Sequence, residues 1–231
     1  MIRRVLAFLL LCLASALPAA AQPGAPNYAN MVTITPAGAF VLGNPKARVR
    51  LVEYLSYTCS HCAHFTEEAA TPLKRDYVAR GLVAVELRNL VRDPFDLTAA
   101  LLARCGGPSR IFGLTETIMA RQPVWMADAQ VLVAKQGPQL EKMPLVQQLK
   151  TIASASGLSA LAQAKGVTPA QINACLANPQ MNKTALAMTK DAVEVRKINA
   201  TPTFLINNQP GPTTSDWAAM DAALRAALGN K

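Results

Sequence analysis

The most informative part of this chain is residues 49–62, VRLVEYLSYTCSHC, in which an apolar run leads directly into a pair of cysteines. Residues 49–55 are mostly β-branched, aliphatic or aromatic, which is typical of a buried strand. From Ala63 to Arg80 the residues favour a helix, and Gly81 supplies a stop signal. The sequence therefore predicts a strand followed by a helix, with Cys59 at the start of that helix.

The two cysteines are predicted to differ in reactivity. Unpaired N–H groups and the positive end of the helix dipole stabilise a thiolate at Cys59. Cys59 is expected to attack in the reduced form and to be attacked in the disulfide form, whereas Cys62, one turn further, resolves the mixed disulfide. His61 lies between them, and its imidazolium or N–H can stabilise the thiolate. The alternative for His61 is an exposed loop histidine, and for His64 a packing or surface role is favoured.

A Cys-x-x-Cys pair also occurs in metal sites, and the sequence leaves this alternative open. Zinc sites normally use a second pair of ligands, for which Cys105 and Cys175 lack the spacing. A compact cluster of the cysteine pair with His61 and His64 would crowd four ligands into six residues. A covalently bound haem requires histidine directly after the second cysteine, where Ala63 stands. The redox interpretation needs no metal and no bound cofactor, because the cysteine pair carries the two electrons.

The first residues have the pattern of a secretory signal. Arg3-Arg4 is followed by the apolar run Val5–Leu17 and by the small residues Ala19–Ala21. This predicts a signal peptide over residues 1–21, with an uncleaved anchor as the alternative. Residues 22–30, rich in Pro, Ala and Asn, are predicted to be a flexible N-terminus of the mature protein.

The chain is basic, with 23 Lys+Arg against 14 Asp+Glu and a formal charge of +9. Without Arg3 and Arg4 the mature chain has 21 basic residues, two fewer, and a charge of +7. These residues are scattered, with no run longer than two and no interleaved aromatic residues. We therefore expect no nucleic-acid binding, although a basic face can help the protein approach an anionic membrane surface.

The rest of the chain predicts an α/β domain with a helical insertion. Strands are expected at 31–34, 39–42, 82–91 and 201–206. Helices are expected at 95–105, 109–121, 145–156, 158–165, 169–177 and 180–195, and Ser215 is expected to cap a last helix. Residues 31–93 and 196–231 would form the α/β domain, and residues 94–195 the insertion.

Two distant stretches carry a family resemblance. Glu53–Cys62 and Thr201–Phe204, separated by the helical block, resemble the DsbA family of thioredoxin-fold thiol–disulfide oxidoreductases. The resemblance covers roughly residues 40–228 and implies a thioredoxin fold with an inserted helical domain. It also implies that Thr201 and a cis Pro202 lie against the redox pair and leave the backbone open to an extended substrate segment.

The resemblance assigns a role to Glu53, which matches an acidic residue that these proteins bury beneath the active site. There it would accept or relay the proton of Cys62, and the alternative is a carboxylate at a strand edge facing water. The chain departs from the family pattern at two points. Ser60 stands where the commonest motif has proline, which can shift the redox potential, and residues 209–212, QPGP, would leave the final strand short or irregular.

The remaining cysteines, Cys105 and Cys175, each lie on an apolar helix face. Either can be an inert buried thiol. Export favours a structural disulfide between them, and closing their separation of 70 residues would stabilise the fold by about 4 kcal/mol.

The resemblance implies a periplasmic thiol–disulfide oxidoreductase that passes its Cys59–Cys62 disulfide to unfolded exported polypeptides with free thiols. It further implies a DsbB-like, quinone-linked membrane reoxidant. A monomer is expected, because related isomerases dimerise through an added N-terminal domain and residues 22–30 are too few for one. A disulfide isomerase or reductase of the same fold is the nearest alternative. A non-enzymatic exported chaperone or metal-binding module is a more distant one.

Overall fold

The computed structural model describes residues 26–229, so the predicted signal peptide lies outside the described residues. Within this range six strands form one mixed sheet in the order β1-β2-β4-β3-β5-β6. The strands are β1 (Val32–Ile34), β2 (Phe40–Leu42), β3 (Val49–Leu55), β4 (Val83–Asn89), β5 (Thr203–Ile206) and β6 (Gln209–Pro210).

The centre of the sheet positions the cysteine pair. Strand β3 runs parallel to β4 and antiparallel to β5, with Tyr54 opposite Thr203. The end of β3 therefore lies beside the beginning of β5, and the segment that follows Leu55 emerges next to residues 201–202. Nearly every residue of β3 is buried, as its apolar composition predicts.

Helices account for most of the remaining chain. Helix α1 (Ser60–Pro72) continues as a π-helical segment, Leu73–Val78, and ends before Gly81, whose φ of +71° suits glycine. The other helices are α2 (Pro94–Cys105), α3 (Ile111–Ala120), α4 (Gln122–Lys142), α5 (Leu145–Ala155), α6 (Leu158–Ala164), α7 (Pro169–Leu176), α8 (Pro179–Lys190) and α9 (Trp217–Ala227). A second π-helical segment, Asp191–Val195, follows α8.

Three apolar clusters pack against the sheet. Helices α1 and α9 pack on it through a cluster that includes Leu51, Phe65, Phe204 and Met220. A small cluster around Tyr54 joins the sheet to the segment after α8. The largest cluster surrounds α2 and unites the helical block with the cysteine pair. Helices α2–α8 all lie between β4 and β5 in the chain, so the predicted thioredoxin fold with an inserted helical domain is confirmed.

One helix was absent from the sequence prediction, which was wrong over residues 122–142. The structure has α4 there, beginning with Pro123 in its first turn, a position that proline favours. Its interior contains Pro138, and the helix is kinked at Gln136, whose backbone (φ −140°, ψ 15°) is not helical.

The cap of the last helix also differs from the prediction. Asp216, not Ser215, is the N-cap of α9, and its carboxylate accepts a hydrogen bond from Ala219 N at 2.8 Å. Within the segment 22–30, which was expected to be flexible, Tyr28 N donates to Ala79 O at 3.1 Å.

Candidate active site

The fold brings the two cysteines and the Thr201–Pro202 segment together. Cys59 is the N-cap of α1 with an extended backbone (φ −94°, ψ 118°), and Cys62 is fully buried one turn later. Both are free thiols. Cys59 Sγ lies 3.1 Å from the carbonyl oxygen of Thr201. The Thr201–Pro202 peptide bond is cis.

Several groups lower the pKa of the Cys59 thiol, which falls from 9.0 to about 4. The largest cause is a hydrogen bond from the Cys62 thiol, and burial acts in the opposite direction. The Thr201 side chain and the backbone N–H groups of Cys62 and His61 lower the pKa further. In the thiol form Cys59 can donate to the Thr201 carbonyl, which favours protonation, but the donors directed at the sulfur outweigh that bond. Cys59 is therefore a thiolate at neutral pH.

Cys62 is shifted in the other direction. Its pKa is raised because its thiol donates to Cys59, because it is buried, and because Glu53 and Cys59 place negative charge near it. The pKa values of the two thiols in this motif are therefore shifted in opposite directions.

Glu53 lies in the protein interior and not at a water-facing strand edge. The residue is 7% exposed, and within the described residues its Oε1 atom has no hydrogen-bond partner. Burial, followed by the charge of Cys59, raises the pKa of this carboxyl to about 8. Glu53 is therefore mostly neutral at pH 7 and can exchange a proton close to physiological pH.

A cavity of about 60 Å³ adjoins the Glu53 side chain between the sheet and helices α1 and α3. Its lining includes Phe65, Thr66, Thr115 and the exposed Glu116. The space is large enough to hold a water molecule.

The loop between β3 and α1 is held by a carboxylate of the insertion. Asp96, on the first turn of α2, is 1% exposed and accepts hydrogen bonds from Ser56 Oγ (2.6 Å), Tyr57 N (2.8 Å) and Arg92 N (3.0 Å). Asp93, the N-cap of α2, accepts from Thr58 Oγ1 at 3.1 Å. Sequence reasoning missed both roles. An Asp followed by proline and a second acid predicts a helix start, but not which distant loop it holds.

A buried amide contacts the same loop from α4. Gln122 is 6% exposed, and its Nε2 donates to Tyr57 O at 2.7 Å and to Cys59 O at 3.0 Å. This residue was also missed, because no helix was predicted at its position.

The other residues predicted near the cysteine pair lie at the protein surface. Ser60 and His61 are exposed on the first turn of α1. His61 acts on Cys59 through its backbone N–H, whereas the predicted role of its imidazole stays a prediction. His64 is also exposed and lies 3.4 Å from the Glu68 carboxylate.

An open groove of about 550 Å³ adjoins the active site along β5. Pro202, Phe204, Pro210 and Pro212 line it. Pro202, which follows the Thr201 carbonyl that Cys59 Sγ approaches, thus belongs to both the active site and the groove.

Cys105 and Cys175 form a disulfide that joins α2 to α7, with an S–S distance of 2.07 Å. Among residues 26–229, no group of three or more His, Cys, Asp or Glu side chains is arranged to hold a metal ion. None of the helices in this range combines the length and apolar character needed to cross a membrane.

Comparison with known proteins defines the family. The thioredoxin family model matches residues 35–226, and the chain belongs to this family. A crystal structure of a protein-disulfide isomerase from Novosphingobium aromaticivorans is 35% identical with a TM-score of 0.75, covering 81% of this chain and 96% of that one. The structure of Wolbachia pipientis alpha-DsbA1 is 20% identical with a TM-score of 0.64, covering 85% and 94%, and supports the fold alone.

Curated relatives point to the same class of protein. Proteins of Rickettsia bellii and Rickettsia conorii, 28% and 30% identical over 190 residues, bear the name "putative protein-disulfide oxidoreductase". The matches cover 81% and 80% of this chain but only 64% and 60% of those longer proteins. The DsbA-family resemblance is therefore confirmed, and the described residues carry the fold and cysteine pair of a thiol–disulfide oxidoreductase.

Proposed function

We propose that this protein is a dithiol–disulfide oxidoreductase that introduces disulfides into exported polypeptides through Cys59 and Cys62. The observation that carries the proposal is the opposite acidity of the two sulfurs. A stable Cys59 thiolate favours the reduced form of the pair, so its disulfide readily accepts electrons.

The reaction proceeds through a mixed disulfide. A substrate thiolate attacks Cys59 Sγ of the oxidised pair, a substrate–Cys59 bond forms, and the Cys59–Cys62 bond breaks with its electron pair on Cys62. A second substrate thiolate then attacks the substrate sulfur and releases Cys59 as a thiolate. The substrate loses two electrons as its disulfide forms, and the cysteine pair gains them.

Proton transfer accompanies the first step. Cys62 strongly favours its thiol form, so the thiolate released there takes up a proton. Glu53, whose pKa of about 8 keeps it mostly protonated at pH 7, supplies this proton and regains one through the adjoining cavity. During reoxidation Glu53 first releases its own proton through the same cavity, and the resulting carboxylate then accepts the proton of Cys62.

The substrate backbone is proposed to lie along Thr201 and Pro202, with its cysteine at Cys59. Two features support this placement: the 3.1 Å approach of Cys59 Sγ to Thr201 O and the apolar groove that continues along β5. Exposed apolar segments of unfolded chains suit such a groove, which favours unfolded polypeptides with free thiols as substrates.

We place the protein in the periplasm and propose a DsbB-like, quinone-linked membrane protein as its reoxidant. The support is the signal pattern of residues 1–21, together with the resemblance to the DsbA family.

Cysteine variants test the proposal. The oxidised protein should form disulfides in a reduced, unfolded substrate protein, and Cys59→Ser should abolish this activity. Reduced Cys62→Ser, mixed with a substrate that contains a disulfide, should trap a mixed disulfide: Cys59 attacks the substrate disulfide, one substrate thiolate leaves, and the adduct is visible by intact mass. Activity that survives in Cys59→Ser would refute the proposal.

A disulfide isomerase is a second candidate, favoured by the description of the Novosphingobium protein at 35% identity. The two candidates differ in redox state inside the cell. Trapping of thiols in intact cells should find an oxidase mainly oxidised, whereas an isomerase must be kept mainly reduced to attack incorrect disulfides.

A further inference from the structure

Among the described residues of α4, Gln122 is the one whose side chain hydrogen-bonds to the loop between β3 and α1. Both hydrogens of its amide are used, one for the carbonyl of Tyr57 and one for the carbonyl of Cys59. The side chain belongs to the insertion, whereas both acceptors belong to the link between β3 and α1. A buried amide with two such bonds fixes two peptide planes at once.

The loop depends on such contacts, because its peptide groups lie between a strand and a helix. Tyr57 is fully buried, its N–H donates to Asp96, and its carbonyl accepts from Gln122. The Cys59 carbonyl also accepts the N–H of Ala63 at 3.2 Å, as the first bond of α1. The insertion therefore holds this link from two sides, through α2 and through α4.

The orientation of the Cys59 backbone decides where its sulfur points. At the N-cap the Cys59 backbone is extended (φ −94°, ψ 118°), and the backbone N–H groups of Cys62 and His61 lower the pKa of its thiol. If the amide of Gln122 were lost, the Tyr57 carbonyl would lack a donor, the Cys59 carbonyl would keep only the bond from Ala63 N, and the Cys59 peptide could rotate. Either change weakens the interactions that favour the thiolate.

We propose that Gln122 is a positioning residue that holds the Cys59 backbone so that its sulfur faces the start of α1. It touches neither the sulfur nor the substrate, and it acts through the two carbonyls. The insertion thereby helps to set the oxidising strength of the cysteine pair. This inference rests on the proposed redox role of Cys59.

The test compares Gln122→Met with Gln148→Met. Methionine keeps the length of the side chain and removes its donors. Gln148 is a matched control, because its Nε2 donates to Leu140 O at 3.0 Å within the same insertion but away from the cysteine pair. Thiolate absorbance of the reduced proteins against pH gives the pKa of Cys59, and equilibration with glutathione gives the redox equilibrium constant.

Gln122→Met should raise the pKa of Cys59 by about one pH unit and make the disulfide about tenfold less oxidising. Gln148→Met should leave both quantities unchanged, even if thermal unfolding shows that the two variants lose similar stability. Native values in Gln122→Met, or an equal shift in Gln148→Met, would overturn the inference.

If Gln122→Met does not fold, Gln122→Ala replaces it. The alanine side chain has no donor and adds no charge, so the pKa of Cys59 should rise as in the methionine variant, and a native pKa would overturn the inference. The pKa of Cys59 in the native protein distinguishes failure of this inference from failure of the proposed function. An ordinary thiol pKa at Cys59 in the native chain refutes the proposed function, whereas a low native pKa that Gln122 variants leave unchanged refutes only the role of Gln122.

Discussion

At the scale of single residues, the chemistry depends on how differently two sulfurs ionise within one turn of helix. The Cys62 thiol, the Thr201 side chain and two backbone N–H groups lower the pKa of Cys59. Cys62 is the donor in their shared bond and lies among negative charges. The spacing of the two cysteines in the sequence identified the pair. The difference between their pKa values depends on burial and on the position of Glu53, which are known only from the folded chain.

The ionisation of Cys59 predicts how stability depends on pH. The folded pKa of about 4 lies below the ordinary thiol value of 9.0, so the stabilisation is fully present above pH 9 and is lost as pH falls through 4. Only the reduced protein has this thiolate. Chemical unfolding should therefore find the reduced form more stable than the oxidised form at pH 8, with the difference shrinking toward pH 4. A difference that does not change between pH 5 and 8 would contradict the assignment. Asp96 titrates in both redox forms and largely cancels in the comparison, whereas the Cys59 thiolate raises the pKa of Glu53 only in the reduced form.

A second prediction at this scale concerns Glu53→Gln, which keeps the shape of the side chain but cannot carry the proton of Cys62. The rate of disulfide exchange at pH 7 should fall about tenfold or more relative to the native protein, because burial keeps the native carboxyl protonated and able to supply the proton. Stopped-flow measurement with a reduced peptide would check this.

The control for that experiment is Glu141→Gln, an exposed carboxylate at the end of α4, which should exchange at the native rate. Equal rates for Glu53→Gln and the native protein across pH 6–9 would exclude a proton-transfer role for Glu53.

At the scale of secondary-structure elements, the first turn of α2 acts as an anchor for the loop that carries Cys59. Asp96→Ala leaves the buried N–H of Tyr57 and the partly buried N–H of Arg92 without an acceptor, so the free energy of unfolding should fall by about 1–3 kcal/mol. Asp128→Ala, on the exposed face of α4, should have little effect.

The loss in Asp96→Ala should also depend on pH. Burial raises the pKa of Asp96 from 3.8 to about 6, so its contribution is full below pH 3.8 and decreases as pH rises through 6. Urea unfolding should find a larger loss at pH 4 than at pH 8. The opposite trend would mean that the carboxylate is favoured in its ionised form.

Element prediction succeeded where the apolar pattern was strong and failed at α4. The strands of the sheet core and helix α1 follow from residues 49–62 and from the alternation after Gly81. Helix α4 was missed because Pro123 and Gly137-Pro138 resemble breaks in the chain, although Trp125, Ala129 and Leu132 are buried at helical spacing. Asp96 and Gln122 could not be predicted, because they act on a loop 39 to 65 positions away.

At the scale of the whole molecule, the disulfide between Cys105 and Cys175 closes the insertion across 70 residues. Replacing both cysteines with alanine should lower the free energy of unfolding by about 4 kcal/mol and leave exchange by Cys59 intact. Denaturant unfolding and activity measurements on the double variant check both parts.

Thiol counting provides an independent check of that disulfide. Alkylation followed by intact mass should find no free thiol in the oxidised mature protein and two after mild reduction. Four alkylated thiols after mild reduction would show that the second bridge is absent or easily reduced.

The two-sided hold on the loop has a consequence for protein engineering. A shortened scaffold in which Asp93 is joined directly to Arg196 would retain the whole sheet but would remove the acceptor for Tyr57 N and the donor for the carbonyls of Tyr57 and Cys59. The shortened protein would need new side chains to provide this acceptor and this donor, because the helical insertion supports the loop that carries Cys59.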